Sequence, residues 1–297
     1  MKPVFIALAL WLPMAAHAAL NVFACEPEWA ALAREIGGSS VRVFSATSAL
    51  QDPHRIEARP SLIAQMRRAD LVVCSGADLE AGWLPVLLRE AGNAGVQPGR
   101  PGFFEATRFV AMLEKPASLD RAQGDVHAAG NPHIHTDPRN LARVGAALAA
   151  RMAELDPTTA AAYQAQWQGF ATRWNAAIAR WQLRAAPLRD LPVAVQHKSF
   201  SYLLAWLGMK EIVTLEPKPG VEPSVSHLAR LATQLQATPA RAVLRAAYQS
   251  PRPANWLAER AGIPALALPF TVGGNDRAQD LFGLFDDTLD QLLRVAP

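Results

Sequence analysis

The feature that most constrains the fold is an alternation of short apolar runs with helical patterns, which one much longer helical pattern interrupts. Apolar runs at 20–25, 70–74 and 192–196 each precede an amphipathic segment, as expected of parallel strands connected by helices. Between the two halves, aromatic residues recur at three- or four-residue spacing over 160–183, which predicts one helix of about seven turns. The sequence therefore predicts an α/β fold with two lobes joined by a long helix.

The domain division follows from these patterns. We predict an N-terminal lobe over residues 19–156, a connecting helix over 157–186 and a C-terminal lobe over 187–297. Asp137-Pro138 and Asp156-Pro157 each pair a helix-capping residue with proline at the first helical position, so each predicts a helix start. The long helix is either an ordinary core helix or a rigid strut between the lobes, and the pattern leaves both open.

The first 18 residues are typical of an export signal. Lys2 supplies a positive charge, Val4 to Trp11 is apolar, and Ala16-His17-Ala18 is a small-x-small cleavage site. The apolar run is shorter than the roughly 20 residues of a spanning helix, and no cysteine adjoins the cleavage site. We therefore expect a cleaved signal peptide over 1–18, no direct membrane anchor, and a mature chain in an oxidising exported compartment, a periplasm.

Two cysteines, Cys25 and Cys74, each follow or end a predicted strand. If those strands are parallel neighbours, both sulfur atoms lie at the same edge of the sheet, and a disulfide is geometrically feasible in this compartment. Two separate buried thiols are the alternative, which the sequence leaves open.

Three histidines lie in turn-like segments beside predicted strands or helices: His54 after Pro53, His133 after Pro132, and His197 directly after a strand. In open α/β sheets, ligands bind beyond the carboxyl ends of the strands, and each proline fixes the backbone that aims the following ring. Imidazole suits zinc, copper and nickel, whereas oxygen-rich sites suit manganese, magnesium and calcium. From the residues alone, one shared metal site and three unrelated surface or core histidines both stay open.

The segments around these histidines resemble motifs of the zinc/manganese-type solute-binding proteins of ABC importers, the cluster called A-I. Asp-Pro-His alone is a weak signal, but the motifs together are specific and extend from the mature N-terminus to the end of the chain. The matching segments are Asp52-Pro53-His54 with Glu57 and Pro60, Ala69 to Val73 with Gly76, Leu79-Glu80 and Trp83-Leu84, Asn131-Pro132-His133 with Asp137-Pro138, His197 to Tyr202 with Gly208, and Glu216-Pro217 with Pro223-Ser224 and Leu228.

The resemblance implies two lobes, each with a four-stranded parallel sheet flanked by helices, one backbone helix, and a metal ion in the cleft between the lobes. The implied ligands are His54 and His133 from the N-terminal lobe and His197 from the C-terminal lobe. Members with histidine at the third position are typically zinc proteins, and a carboxylate there goes with manganese. The implied function is capture of Zn²⁺, as transported cargo, and its delivery to a membrane permease.

The sequence departs from the family pattern at the fourth ligand. The family often supplies an aspartate from the loop before the last helix, but here that position falls on Pro269, Phe270 or Thr271. Asp276 in the same loop, Glu57 near the first histidine, and water are the alternatives that stay open.

Some zinc-specific members also carry a long histidine-rich, acidic loop, which this sequence lacks. The segment 124–135 is at most a short version of it. His127 and His135 in that segment are spare imidazoles, which we expect to be accessory or solvent-facing.

A zinc ion held by three histidines with one open position is also the pattern of zinc hydrolases, so an exported zinc-dependent hydrolase is the main alternative. Such an enzyme needs a general base near the bound water, and Glu57 is the only obvious candidate. The sequence contains no His-Glu-x-x-His, Gly-x-Ser-x-Gly or phosphate-loop motif. We therefore expect a binding protein and not an enzyme, with an adhesin or a free metal chaperone as a third reading.

The charge distribution of the chain indicates which partners to expect. Lysine and arginine are scattered and the formal net charge is only +3, so no nucleic-acid partner is expected. The expected partners are zinc and the permease, and the chain is expected to be a monomer.

Because histidine must be neutral to bind a metal, zinc affinity is expected to weaken as pH falls through about 6.5.

Overall fold

The structure is a computed structural model that describes residues 19–116, 124 and 127–297. The predicted signal peptide, 1–18, lies outside the described residues, as do positions 125–126 of the short histidine-containing segment. Within the described ranges, no helix is both long enough and apolar enough to cross a membrane.

The first half of the described chain contains one parallel sheet. Its strands are β1 Leu20–Ala24, β2 Val41–Ser45, β3 Leu71–Cys74 and β4 Phe103–Glu105, and its helices are α1 Pro27–Gly37, α2 Pro60–Arg68, α3 Leu84–Ala91 and α4 Pro138–Leu155. The strand order is β2-β1-β3-β4, with β1 paired in parallel to both β2 and β3. The carboxyl ends of all four strands therefore meet at one edge.

The connecting helix, α5 Ala160–Arg184, has 25 residues and is about 38 Å long at 1.5 Å per residue. Its predicted aromatic stripe is buried in a hydrophobic core that includes Val73 of the first sheet and Val193 of the second. The helix is thus both a core helix and a link between the sheets. The buried residues of α5 are Tyr163, Phe170, Trp174, Ala177, Ile178 and Trp181.

The predicted start of the long helix at Pro157 is wrong. Residues 157–159 form a turn, and α5 begins only at Ala160. The Asp156 carboxylate does not cap a helix; it accepts hydrogen bonds from Thr158 Oγ1 at 2.7 Å and Tyr163 Oη at 3.0 Å. At the other Asp-Pro pair the prediction is confirmed, because the Asp137 side chain accepts from the Arg139 backbone N–H at the start of α4.

The second half repeats the arrangement of the first. Its strands are β5 Pro192–Val195, β6 Lys210–Thr214, β7 Val243–Ala246 and β8 Ala265–Leu268, and its helices are α6 Ser201–Leu207, α7 Val225–Ala237, α8 Pro251–Ala261 and α9 Leu281–Leu293. The strand order is β6-β5-β7-β8, and every pair is parallel. The predicted fold class, two four-stranded parallel sheets flanked by helices, is confirmed.

Cys25 and Cys74 form a disulfide with a Cα–Cα distance of 4.8 Å. Cys25 follows β1 and Cys74 ends β3, and these strands are neighbours in the sheet. The bond joins residues 49 positions apart, and closing a loop of that size stabilises a fold by about 2–4 kcal/mol. It fixes two strand ends at the edge of the sheet that also carries the metal centre described below.

Candidate metal centre

Three histidines from different parts of the chain meet between the two sheets. The ring centroids of His54 and His133 are 5.5 Å apart, those of His54 and His197 are 5.8 Å apart, and those of His133 and His197 are 5.4 Å apart. One nitrogen atom from each ring lies within 4.8 Å of the others. His54 and His133 precede α5 and His197 follows it, so the cluster draws on both halves of the chain.

The first histidine is held by the aspartate two residues before it. Asp52 Oδ1 accepts a hydrogen bond from the His54 backbone N–H at 3.0 Å and from the ring Nδ1 at 2.8 Å. Pro53 between them restricts the backbone, and its carbonyl accepts from the Trp83 indole at 2.9 Å. The turn, the ring orientation and the tautomer are therefore fixed together, because a carboxylate only accepts and Nδ1 must carry the hydrogen.

The second histidine is held in the same way by an asparagine. Asn131 Oδ1 accepts from the His133 backbone N–H at 3.0 Å and from its ring Nδ1 at 2.8 Å. The amide nitrogen of Asn131 donates to Glu114 Oε2 and to the Lys198 carbonyl, both at 2.8 Å. This assigns Oδ1 as the atom facing His133, and it ties the second histidine to the segment that carries His197.

The third histidine uses a partner from a neighbouring strand. His197 follows β5, and its Nδ1 lies 2.7 Å from Glu216 Oε2 in the loop after β6. The same carboxylate oxygen accepts the Gly220 N–H at 2.8 Å. A carboxylate that fixes the non-ligating nitrogen of a histidine is a common arrangement around zinc, since it orients the ring and makes it more basic.

These hydrogen bonds leave the Nε2 atoms to face one another. Nε2 of His54 and of His133 is buried without a hydrogen-bond partner, and His133 and His197 are only 1% and 7% exposed. Buried polar atoms almost always have partners, so two adjacent exceptions need an explanation. A bare Nε2 lone pair is the ligand atom that a neutral histidine offers to a metal ion.

The electrostatics of the centre favour neutral rings. Burial, followed by the neighbouring imidazoles His197 and His54, holds the pKa of His133 well below its usual value. Burial is the largest single influence on Asp52 and would raise its pKa, but the hydrogen bonds and charge of His54, together with the charge of His197, outweigh it and lower that pKa. The cluster thus combines a neutral His133 ring with a carboxylate that supports the His54 ring.

The loop before α9, where the family often places a fourth ligand, turns an apolar ring toward the centre. The Phe270 ring packs 5.6 Å from the His133 ring, centroid to centroid. Phe270 has a φ of 66°, a left-handed conformation that costs a non-glycine residue about 1–2 kcal/mol. Of the acidic alternatives from the sequence, Glu57 and Asp276 are both exposed, and neither belongs to the group of nearby ligand atoms.

His135 is not solvent-facing, contrary to one of the two readings expected for it. It is 1% exposed, and its Nε2 lies 3.1 Å from the Phe270 carbonyl oxygen. Its Nδ1 lies 3.1 Å from Glu28 Oε1, while Glu28 Oε2 accepts from Thr271 Oγ1 at 2.5 Å. Nε2 is thus bonded to the Phe270 carbonyl, while Nδ1 lies beside the Glu28 carboxylate without making a hydrogen bond, so His135 packs between α1 and the loop before α9.

His127 is half-buried and lies beside the cluster. Its ring centroid is 5.5 Å from that of His54, at an interplanar angle of 34°. Burial, followed by the nearby His54 and His197, lowers the pKa of His127 to about 4. It is therefore a neutral ring at the edge of the centre and not a surface histidine.

Sequence reasoning identified the three histidines but missed the side chains that orient them. For Asp52 and Asn131 a signal exists, because an Asx-Pro-His triplet occurs twice and a short polar side chain readily bonds to the backbone two residues on. For Glu216 the sequence signal is weak, because the residue lies 19 positions from His197 and meets it only through strand pairing.

Comparison with known proteins places these features in a family. The sequence model of the family described as "ZnuA: Zinc-uptake complex component A periplasmic" matches residues 22–295. The "High-affinity zinc uptake system protein ZnuA" of Bacillus subtilis is 22% identical over 233 residues, which cover 77% of this chain and 71% of that protein.

Solved structures show the same fold. A structure described as "Crystal structure of ZnuA" superposes with a TM-score of 0.78 and 21% identity, covering 94% of this chain and 100% of that one. The solute-binding protein FpvC of Pseudomonas aeruginosa, solved with Ni²⁺, gives a TM-score of 0.74 and 23% identity, covering 94% and 97% of the two chains.

Proposed function

The chain belongs to the ZnuA family of periplasmic zinc-uptake components, and we propose that it captures one zinc ion with His54, His133 and His197. In this proposal the ion is the transported cargo, held between the two sheets and passed to the permease of an ABC importer. The members of the family are solute-binding parts of transport systems, so binding and release, and not turnover, are the expected activity.

The observation that carries the proposal is the common orientation of the three rings. Each Nδ1 is engaged by an oxygen atom of the protein, from Asp52, Asn131 or Glu216 respectively, as given by the contacts at 2.8, 2.8 and 2.7 Å. Each Nε2 is left for another ligand. Three neutral imidazole nitrogens within 4.8 Å of one another suit zinc, and the softer first-row ions, better than manganese or magnesium.

Capture requires that the two halves stay close together. Because His197 belongs to the second half, separating the halves removes one ligand from the other two. Contacts that cross this boundary support the closed arrangement: Asn131 donates to the Lys198 carbonyl, and Arg55 Nη2 donates to the Gly220 carbonyl at 3.2 Å. The buried stripe of α5 limits the motion to small displacements. We propose that docking on the permease separates the halves and releases the ion.

The proposal also covers export, oligomeric state and the division into lobes. We propose that residues 1–18 are cleaved on export, that the mature protein acts in a periplasm as a monomer, and that the division into lobes at 157–186 describes the units that move.

Titration of metal-free protein with zinc tests the function directly. We expect one tight site, and we expect His54→Ala and His197→Ala each to weaken zinc binding by about 100-fold or more, since each removes one ligand of an ion whose binding free energy is about 10–16 kcal/mol in four-ligand sites. If both variants bind zinc as the parent does, the proposal is wrong.

Competition among metal ions would identify which ion the protein transports. A site of imidazole nitrogens should bind zinc, nickel and copper far more tightly than manganese, and FpvC shows that a protein with this fold has been solved with nickel. Zinc-dependent hydrolysis of generic ester or phosphate substrates by the same preparation would instead favour the hydrolase.

A further inference from the structure

The conventional fourth position of the centre is occupied by groups that have other partners. In the described loop before α9, the Phe270 carbonyl accepts from His135 and Thr271 Oγ1 donates to Glu28. The Phe270 ring offers no donor atom, and Asp276 is exposed. A zinc ion held by three histidines alone would therefore need its fourth ligand from another direction.

His127 approaches the centre from the segment before Asn131. Its ring lies 5.5 Å from the His54 ring, centroid to centroid, and it lines a cavity of about 410 Å³ together with His133 and His197. The ring donates a hydrogen bond to the backbone carbonyl of Ala77, and its Nε2 is buried without a partner.

The state of His127 matches that of the three proposed ligands. In each of the four rings one nitrogen is bonded to an oxygen of the protein. In His54, His133 and His127 the other nitrogen, Nε2, is buried with no partner. His227, on α7, has an unpartnered Nε2 as well, but its Nδ1 lies 3.3 Å from Arg230 Nη2 and it is not among the residues that line this cavity.

We propose that His127 is the fourth zinc ligand, so that the bound ion has four imidazole nitrogens around it. This inference rests on the proposed function, and it adds the number of ligands and the residue that supplies the fourth one. Zinc prefers four ligands in a tetrahedron, and the family's carboxylate is replaced here by a neutral ring. His127 is not among the atoms that already lie within 4.8 Å of one another, so its ring must move toward the other three when zinc binds.

The four-imidazole site has consequences for selectivity. Without a carboxylate ligand, the site lacks the oxygen donors that manganese and magnesium prefer. His127 is then a residue that determines specificity, and replacing it with a carboxylate should recover some affinity for manganese. Replacing it with a side chain that cannot ligate leaves water as the fourth ligand.

The test compares four variants of the mature protein with the parent: His127→Ala, His127→Asp, His133→Ala and the control His227→Ala. Zinc affinity is measured by competition with a chromophoric chelator, and coordination by the visible absorption spectrum of the Co²⁺-loaded protein and by X-ray absorption at the zinc edge. We expect His127→Ala to weaken zinc binding about 10- to 100-fold, to lower the imidazole count from four to three and to change the Co²⁺ spectrum. His127→Asp should restore part of the zinc affinity and raise that for Mn²⁺, while His227→Ala should match the parent.

The outcomes separate this inference from the function on which it rests. If His133→Ala loses zinc and His127→Ala keeps the parent's affinity, spectrum and imidazole count, His127 is not a ligand and the proposed function stands. If neither variant differs from the parent, the proposed function falls as well. Thermal unfolding of the metal-free variants shows whether each is folded, and His127→Gln serves as the second non-ligating variant if His127→Ala is not.

Discussion

Two histidines in the turn before α4, His133 and His135, are equally buried and yet chemically opposite. Each is 1% exposed. His133 has one ring nitrogen on Asn131 and the other without a partner, whereas His135 has one nitrogen on the Phe270 carbonyl and the other 3.1 Å from Glu28. Burial therefore does not distinguish a ligand from a structural histidine. The surroundings of the second ring nitrogen do: in His135 it faces the Glu28 carboxylate at 3.1 Å, and in His133 it faces the other imidazoles.

Replacing His133 and replacing His135 should therefore affect different properties of the protein. In the proposed site the open nitrogen of His133 binds the ion, so its loss should affect zinc affinity and leave the metal-free fold nearly intact. The His135 ring packs between Glu28 of α1 and the Phe270 carbonyl in the loop before α9, so its loss should affect the fold first.

The largest expected effect is on zinc binding by His133→Ala. Removing this proposed ligand, whose ring lies 5.5 Å from that of His54 and 5.4 Å from that of His197, should weaken zinc binding by about 1,000-fold, or about 4 kcal/mol. Competition titration with a chelator measures it, with urea unfolding of the metal-free variant as the control. A variant that binds zinc within threefold of the parent would remove His133 from the site.

The second effect is on stability, through His135→Ala. The substitution removes the hydrogen-bond partner of the Phe270 carbonyl and the imidazole that lies beside the buried Glu28 carboxyl. It should lower the free energy of unfolding of the metal-free protein by about 2–4 kcal/mol. Urea unfolding without metal measures it. If the midpoint is unchanged while zinc affinity falls as far as in His133→Ala, the contrast between the two rings is wrong.

The third effect tests how the open rings are aimed. Asp52→Ala removes the acceptor for the His54 backbone and ring, and it should weaken zinc binding about 10- to 100-fold. Asp52→Asn keeps an acceptor oxygen, as Asn131 does beside His133, and should cost less than about threefold. Equal losses in the two variants would mean that the charge of Asp52, and not its geometry, supports the site.

The smallest effect concerns a buried carboxyl pair at the ends of β1 and β3. Burial, followed by the charge of Glu80, raises the pKa of Glu26 well above its usual value, and burial raises the pKa of Glu80 to about 7. The folded protein therefore binds more protons than the unfolded chain between about pH 4.5 and pH 7. The stability from this pair is present below pH 4.5 and is lost as pH rises toward 7.

Glu26→Gln tests that sign. Glutamine mimics the protonated carboxyl, so the decline in unfolding free energy between pH 4.5 and 7 should shrink by about 1 kcal/mol relative to the parent. Urea unfolding of the metal-free protein at several pH values measures the difference. A decline that is as steep in the variant as in the parent would show that the pair does not share a proton in this way.

The sequence predicted the features that depend on local patterns. The parallel strands at 71–74 and 192–195 and the aromatic stripe of α5 follow from apolar runs and helical spacing. The three histidines were identifiable because each lies beyond a strand or before a helix. The family pattern then predicted the zinc function, which the family match confirms.

The features that the sequence did not predict depend on contacts between distant segments. Glu216 reaches His197 only because β5 and β6 pair, and Glu28 reaches His135 only because α1 packs against the turn before α4. The start of α5 was misplaced because a turn follows Asp156 and Thr159 precedes the first helical residue, while the Asp156 carboxylate accepts from the hydroxyl groups of Thr158 and Tyr163. Hydrogen-bond partners of this kind are set by tertiary packing, which periodicity does not report.

The most direct test of the account is an anomalous difference map, recorded at the zinc absorption edge, from crystals of the zinc-loaded protein. We expect one strong peak between the two sheets, about 2.0–2.1 Å from Nε2 of His54, His133 and His197, with His135 still bonded to the Phe270 carbonyl. A peak bound elsewhere, or one that lacks a histidine from either half of the chain, would contradict it.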